Sequence, residues 1–295
     1  MACFTTTGPA VYTRATDFSL RAVWVYTVAE EFAMNRFAAP ALAAAALAVL
    51  SACGPAPETH DPEGHFLAHP IAGGEAVEIL RYVGDRTEVR IPPYIGGLPV
   101  IAIGFSAFSR SALTYVSIPE GVFIIGAEAF ARNRLTSLEI PQSVVHIGRE
   151  AFRANMIASV AIPDGIVTIE DFAFAQNYLE EVRIPEGVTH IREMAFWFNQ
   201  LGEVNLPESV SYIGNSAFWL NRLCALEIPE GVTHIGTGAF AENRLSSVSI
   251  PAGVEYIGER AFARNRLERV TVPAGAVREG SRAFDEGVEV LVPGE

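Results

Sequence analysis

Apolar residues recur with a fixed period of 22 along most of this 295-residue chain. Eight prolines from Pro119 to Pro273, and nine phenylalanines from Phe108 to Phe284, each recur at intervals of 22 residues. A single period held over so many copies indicates a repeat architecture, in which each copy is one supersecondary unit. The sequence therefore predicts an array of identical units rather than a mosaic of separate motifs.

The unit from Leu223 to Arg244 shows what each copy is expected to form. A half-buried strand is predicted at Leu226 to Ile228, where apolar and polar residues alternate. It ends at Pro229, which donates no backbone hydrogen bond. After a turn and a second short extended piece, Gly236 to Asn243 is expected to form a single helical turn that points Phe240 inward. Since one unit cannot bury its apolar residues alone, the units must stack.

An asparagine follows most of the repeat phenylalanines by three positions. Beside a tight bend, its amide can satisfy backbone groups that the strands leave unpaired. Stacked units would align these amides into a structural ladder along one edge, and losing one is expected to cost about 1–3 kcal/mol. The ladder comprises Asn133, Asn155, Asn177, Asn199, Asn221, Asn243 and Asn265.

The pattern LxxLxIPxxVxxIGxxAFxxNxL resembles the leucine-rich repeat of the BspA-type bacterial surface antigens. The resemblance covers about residues 75–295, and the asparagine is similar to that of treponemal members in particular. It implies a leucine-rich-repeat solenoid that is curved and built mostly of short β-strands with single helical turns. It also implies surface display and the binding of proteins or host components.

The spacing divides this part of the chain into three. Residues 75–108 are predicted to be an N-terminal capping repeat and residues 109–274 the regular 22-residue repeats. Residues 275–295 are predicted to be a C-terminal capping repeat, because the last unit is irregular. Glu170 and Arg192 stand where other units have glycine after isoleucine, so this position is not expected to need a positive φ.

The N-terminal segment has the features of an export signal. A short basic start at Met34 is followed by an apolar, alanine-rich run and by the sequence LSAC, which ends at Cys53. LSAC resembles a bacterial lipobox and implies that Cys53 is lipid-modified; the alternative is an incidental cysteine after a plain signal. Residues 34–52 are thus a predicted lipoprotein signal peptide, residues 1–33 are expected to be absent from the mature protein, and residues 53–74 are a predicted tether.

Composition disfavours several classes of function. The formal net charge of -13 disfavours nucleic acid as a partner, because an acidic surface repels phosphate backbones. Cys3, Cys53 and Cys224 form neither a disulfide framework nor a zinc-binding pattern. With no phosphate-binding glycine loop and no distinctive catalytic pairing in the sequence, we expect no enzymatic activity, metal or cofactor.

Five residues after each repeat proline lies a variable position that is rich in histidine and tyrosine. Since adjacent parallel strands lie about 4.8 Å apart, histidines two units apart would be separated by about 10 Å, too far to share a metal ion. Two interpretations remain, a solvated row of amphipathic side chains or a weak binding stripe. This weaker candidate stripe comprises His146, His190, Tyr212, His234 and Tyr256.

The two positions after each repeat phenylalanine change character in two neighbouring units. Trp197, Phe198, Trp219 and Leu220, which we call the tryptophan patch, replace residues that are small or polar in other units. Clustered exposed aromatic side chains mark contact surfaces for a partner or a second copy. The alternatives are that these side chains cover a local widening of the core, or that they contact lipid or glycan.

Together these observations predict an exported, lipid-anchored protein of the bacterial cell envelope, periplasmic or surface-exposed. It would bind other proteins, such as host or envelope components, and could act as an adhesin. The alternative is a self-assembling structural envelope protein that has no foreign ligand, in which the tryptophan patch joins copies into a homo-oligomer. In both cases the membrane is a partner only through the lipid on Cys53.

Overall fold

The computed structural model describes residues 60–278 and 282–292. The predictions for residues 1–33, for the signal peptide and for Cys53 lie outside these residues. The described chain winds into a solenoid whose successive rungs pair in parallel, which confirms the predicted leucine-rich-repeat architecture. Its only helices, among the described residues, are two short 3₁₀ helices, and none has the length and apolar character needed to cross a membrane.

An antiparallel hairpin forms the N-terminal cap. Strand β1 (Phe66–Ile71) pairs antiparallel with β2 (Ala76–Tyr82), which in turn pairs in parallel with β5 (Leu98–Ile103). Because Phe66 is buried in this cap, ordered packing begins upstream of the predicted start at residue 75. Residues 60–74 therefore form part of the cap rather than of a tether. The remaining elements of the cap are the 3₁₀ helices Glu63–His65 and Ala72–Gly74, β3 (Glu88–Arg90) and β4 (Tyr94–Ile95).

One ladder of parallel strands contains the histidine and tyrosine positions. Each strand is two residues long and ends on a buried isoleucine in the regular repeats, so the ladder has one inward and one outward column. Paired residues in the regular repeats are 22 positions apart, as His190 and Tyr212 are, but the ladder is interrupted once, because His146–Ile147 and Thr168–Ile169 belong to different sheets. The strands are β7 (Ile124–Ile125), β8 (His146–Ile147), β10 (Thr168–Ile169), β12 (His190–Ile191), β13 (Tyr212–Ile213), β14 (His234–Ile235), β15 (Tyr256–Ile257) and β17 (Val277–Arg278).

A second ladder lies just before the repeat prolines and is less continuous. Its strands pair as β3 with β6 (Tyr115–Ser117), β9 (Ser159–Ala161) with β11 (Glu181–Arg183), and β16 (Arg269–Thr271) with β18 (Glu289–Leu291). Isolated bridges join Glu227, Ser249 and Thr271. The last pair is offset by 20 residues, since Arg269 pairs with Glu289, in keeping with an irregular final unit.

The segment that contains each repeat phenylalanine is a turn rather than the expected helical turn. In the rung of Phe240, the Ala241 N–H donates to the Gly238 carbonyl at 3.0 Å. The Phe240 N–H instead donates to the Ala261 carbonyl of the next rung, at 2.8 Å. Residues two positions from the repeat phenylalanine, such as Glu242 with φ 54°, adopt the left-handed conformation, which a right-handed helix cannot contain.

Aligned phenylalanine rings form the centre of the core. From Phe108 to Phe262 these side chains are at most 1% exposed. Neighbouring rings stack in parallel with centroids 5.0–5.7 Å apart, and Tyr82 of β2 extends the stack at its N-terminal end. Burial of each large apolar side chain contributes about 1.5–3 kcal/mol. Since each ring packs on both neighbours, the constant period of the sequence follows from this packing.

Close packing of the rungs explains the glycine that follows most ladder isoleucines. A Cβ atom at Gly148 would lie 2.6 Å from the backbone nitrogen of Ala127 in the preceding rung, although Gly148 has no positive φ. At the two exceptions, Glu170 and Arg192, the side chains lie on adjacent rungs and form an ion pair, with Oε2 and Nε 3.3 Å apart. The glycine therefore allows close approach of neighbouring rungs and is not required for a positive φ, as the two exceptions predicted.

Candidate interaction surface

Each repeat asparagine fastens its rung to the preceding one. The Nδ2 of Asn199 donates to the carbonyls of Phe174 and Phe196, at 3.0 and 3.1 Å. Its Oδ1 accepts a hydrogen bond from the Leu179 N–H at 3.0 Å. Equivalent bonds recur at all seven asparagines, from Asn133 to Asn265. These amides are thus occupied by backbone groups, which leaves contact with other molecules to the residues beside them.

The residues that flank the asparagines, together with those that flank Ser111 at the equivalent position of the Phe108 rung, form one continuous edge, which we call the asparagine edge. In each rung from Phe108 to Phe262, the edge contains two residues, namely the second and the fourth after the repeat phenylalanine. Because only two peptide units separate such a pair, their Cα atoms lie within about 7 Å. Large apolar side chains occupy this edge in four consecutive rungs, namely Met156, Tyr178, Phe198 and Leu220.

Three of these apolar side chains are largely exposed. Met156 is 45% exposed, Tyr178 is 49% exposed and Phe198 is 53% exposed. Leu220, on the fourth rung, is half-buried. Large apolar side chains with this much exposure on consecutive rungs form a contiguous strip, and such strips mark contact sites.

Trp197 and Trp219 lie between this strip and the phenylalanine core. Both are half-buried, and their rings stack with centroids 5.9 Å apart and an interplanar angle of 19°. The Trp197 ring also packs against that of Phe198, at 6.2 Å. Within the described part of the chain, the buried Nε1–H of Trp197 finds no hydrogen-bond acceptor. The structure thus brings the aromatic members of the tryptophan patch into one cluster, next to Leu220.

Phe172 extends this cluster by one rung. Its ring meets Trp197 edge to face, with centroids 6.4 Å apart. The guanidinium groups of Arg149 and Arg153 lie 5.5 and 5.3 Å from the Phe172 ring, within the range of cation–π attraction. Sequence reasoning missed Phe172 because it compared only the column five after each repeat proline and the two columns directly after each repeat phenylalanine, and Phe172 lies in neither. Met156 and Tyr178 were missed for the same reason, and comparison of all 22 columns would have found all three.

The weaker candidate stripe forms a separate aromatic row on the strand ladder. The rings of His190, Tyr212, His234 and Tyr256 stack in order, with centroid distances of 5.6, 4.6 and 4.4 Å. His146 lies on the same column, two rungs before His190. A tyrosine ring separates His190 from His234, and in the described ranges no three acidic, histidine or cysteine side chains are placed to hold a metal ion.

Burial affects the charge of this row. Desolvation lowers the pKa of both His146 and His234 below the ordinary histidine value, because burial disfavours the charged imidazolium. Both rings are therefore neutral at neutral pH. Stacking also covers the faces of the inner rings, Tyr212 and His234, so that their edges remain for contact with solvent.

Solved structures of bacterial proteins resemble this chain. Solved structures that resemble the chain include a leucine rich cell surface protein from Faecalibacterium prausnitzii A2-165, with 20% identity, 81% of this chain and 96% of that chain covered, and a TM-score of 0.43. The T. pallidum leucine rich repeat protein has 24% identity, with 76% of this chain and 92% of that chain covered and a TM-score of 0.29. The pneumococcal vaccine antigen PcpA has 16% identity, with 76% of each chain covered and a TM-score of 0.45.

A search of curated proteins gave no match. The family model described as "BspA type Leucine rich repeat region" matches in six copies, over residues 101–221 and 168–288. These residues make up more than half of the chain and include the phenylalanine stack, the asparagine ladder and the tryptophan patch. The chain therefore belongs to the family of BspA-type leucine-rich repeat proteins.

Proposed function

We propose that this protein binds another protein through the tryptophan patch. The observation that carries the proposal is the stacked pair Trp197 and Trp219 beside Phe198, a side chain that is 53% exposed. Protein interfaces are enriched in tryptophan, phenylalanine, tyrosine, methionine and arginine, and all five types occur on this part of the solenoid. The energy of binding would come mainly from such aromatic anchors.

Two other roles for the patch fit the geometry less well. Side chains that only fill a widened core would be buried, whereas Phe198 is exposed on its own rung. A glycan stacks on open ring faces, whereas Trp197 and Trp219 cover one face of each other. Protein binding accounts for both the exposure and the stacking.

The proposed setting is the bacterial envelope. The apolar run before LSAC, and Cys53 within it, support export and a lipid anchor that holds the solenoid at a membrane. From this position the tryptophan patch would contact host or envelope proteins, and adhesion is one such role. An intact-mass measurement of protein purified from its native membrane tests this setting, since a lipid on Cys53 as the first residue is expected and retention of Met1 would contradict it.

The binding proposal is tested by surface plasmon resonance of the full chain over purified extracellular-matrix and envelope proteins. The variant Trp197→Ala/Trp219→Ala is expected to lose saturable binding that the wild-type chain shows. The control Tyr212→Ala/Tyr256→Ala removes aromatic rings from the strand ladder and is expected to keep it. Binding that survives in the tryptophan variant, or no saturable binding by the wild-type chain, contradicts the proposal.

The tryptophan variant also separates binding of a foreign partner from self-assembly. Light scattering of the wild-type chain and of Trp197→Ala/Trp219→Ala at high concentration is expected to give the same mass. A wild-type mass above that of the monomer, which falls to the monomer value in the variant, would instead favour the architectural role.

A further inference from the structure

The asparagine edge is basic, although the chain as a whole has a formal net charge of -13. Of its 16 positions, seven are arginine and one, Glu242, is acidic. All seven arginines are exposed, so their charge is presented to solvent and not used inside the fold. They are Arg110, Arg132, Arg134, Arg222, Arg244, Arg264 and Arg266.

Most of these arginines have no ion-pair partner. Arg264 pairs with Glu242 at 2.5 Å, but in residues 60–278 and 282–292 no carboxylate lies within ion-pair distance of the other six. Arginines on other faces are often paired, as Arg183 is with Asp164 and Arg269 with Glu289. The asparagine edge thus has a set of guanidinium groups whose charge nothing in the described chain neutralises.

These arginines bracket the apolar strip. Three successive rungs, those of Phe152, Phe174 and Phe196, have no arginine on the edge. Arg134 lies one rung before them and Arg222 one rung after. With rungs about 5 Å apart, these two arginines are separated by about 20 Å along the edge. The edge is therefore a long, narrow track with cations at both ends and apolar side chains in the middle.

We propose that the asparagine edge binds an extended segment of the partner protein, in which acidic residues lie on both sides of an apolar centre of about six residues. This inference rests on the proposed function and adds the chemistry of the partner. An extended chain advances about 3.3 Å per residue, so six residues span the distance between the two groups of arginines. Each rung contributes only two positions to the track, with Cα atoms within about 7 Å, which suits a single chain. Guanidinium forks bind carboxylates through paired hydrogen bonds.

Other occupants fit the track less well. In a two-fold dimer through this edge, the arginines at one end would face those at the other end of the second copy. Nucleic acid needs cations along its whole backbone, whereas the central rungs of the track have none on the edge. A protein segment with separated acidic groups matches the observed pattern of charge, apolar strip and charge.

The test uses a fluorescent peptide with three glutamates, a six-residue centre of leucine, tryptophan and threonine, and three more glutamates. Matched peptides have glutamine or arginine in place of glutamate. In fluorescence anisotropy with the full chain, the glutamate peptide is expected to bind about tenfold more tightly than the glutamine peptide, because several surface ion pairs add modest energies. The arginine peptide is expected not to bind.

Charge reversal then locates the site. Arg134→Glu/Arg244→Glu is expected to weaken binding of the glutamate peptide at least about tenfold, mainly because association becomes slower. The variant should also reduce the dependence of this binding on salt concentration. Arg81→Glu/Arg90→Glu makes the same change in net charge at exposed positions off the edge and serves as the control. Thermal melting confirms that each variant is folded.

Several results would overturn the inference. The first two are equal binding of the three peptides and no binding of the glutamate peptide at about 1 mM. The third is an equal effect of the two charge reversals. The fourth is binding of oligothymidylate or of phosphatidylglycerol vesicles that is tighter than binding of the glutamate peptide. The proposed function fails separately, if Trp197→Ala/Trp219→Ala keeps the protein partner found by surface plasmon resonance. If that variant loses the partner but Arg134→Glu/Arg244→Glu keeps it, the proposed function stands and the acidic chemistry of the partner is wrong.

Discussion

Trp197 and Trp219 stack across two adjacent rungs, with ring centroids 5.9 Å apart. They occupy the position directly after the repeat phenylalanine. Because alanine fills this position in four other rungs, the solenoid is complete without the indole rings. Replacing both tryptophans by alanine therefore recreates a unit that the chain already uses. The equivalent alanines are Ala131, Ala175, Ala241 and Ala263.

We expect Trp197→Ala/Trp219→Ala to remain folded, with a midpoint of thermal unfolding lowered by less than about 5 °C. In contrast, Phe196→Ala removes a fully buried ring of the core stack and is expected to cost about 3–5 kcal/mol. Thermal melts followed by circular dichroism compare the two variants. A tryptophan variant that is destabilised as much as Phe196→Ala would show that the indoles belong to the core.

Loss of one ladder asparagine is expected to destabilise the solenoid. In Asn199→Ala, the buried Leu179 N–H loses its acceptor and the Phe174 carbonyl keeps only the Nδ2 of Asn177 as a side-chain donor, so the free energy of unfolding should fall by about 1–3 kcal/mol. The control Asn205→Ala removes an exposed amide that makes no hydrogen bond within the described residues, and should change the free energy of unfolding by less than about 0.5 kcal/mol. Urea unfolding measures both, and equal effects would contradict a structural role for the ladder.

Glu78 makes stability depend on pH. Its carboxyl group is buried in β2, and desolvation raises its pKa from 4.5 to about 7. The folded chain therefore binds the proton more tightly than the unfolded chain does. Consequently the free energy of unfolding falls as pH rises from about 4.5 to about 7 and stays lower above that.

Glu78→Gln is accordingly expected to stabilise the protein at pH 8 by up to about 3 kcal/mol and to have little effect at pH 4. Glu75→Gln, at an exposed position three residues earlier, is the control and should show no such difference. Urea unfolding at both pH values measures the effect. Stabilisation of the same size at pH 4 would contradict the assigned cause.

The stacked histidine row predicts an unusual titration. Burial lowers the pKa of His234, whose ring lies between those of Tyr212 and Tyr256. In NMR titrations its imidazole signals, assigned with the variant His234→Gln, should therefore change at a pH below the ordinary value of about 6.5. A midpoint at or above that value would show that the ring is solvated in spite of the stacking.

Much of the fold could be predicted from the period alone. Phenylalanines and asparagines that recur in register require stacked units, and the observed ring stack and amide ladder follow directly from this requirement. The local turn was not predictable in the same way. An inward phenylalanine flanked by polar residues suits a helical turn equally well. The column of Glu242 and Phe198 contains no glycine to reveal its left-handed conformation, and the left-handed column two positions before the repeat phenylalanine contains only one, Gly238.

The N-terminal cap shows a second limit of the sequence. Proline, glycine and histidine between residues 53 and 74 resemble a tether in composition, yet Phe66 is buried and Pro70 lies in an edge strand that tolerates it. The candidate surface was predicted in part, since two neighbouring tryptophans break the repeat. Phe172 stands out in its own column of the sequence, but its contact with Trp197, and the placement of the arginines at both ends of one edge, depend on how columns align in three dimensions.

Tryptophan fluorescence shows whether a bound partner covers the tryptophan patch. The chain has three tryptophans, and Trp24 lies outside the described residues, so in the variant Trp24→Phe all indole emission comes from Trp197 and Trp219. Saturating this variant with a protein partner found by surface plasmon resonance is predicted to reduce quenching of the emission by acrylamide at least about twofold, because an interface excludes solvent from its aromatic anchors. Unchanged quenching at saturation would show that the partner binds elsewhere and would contradict the account.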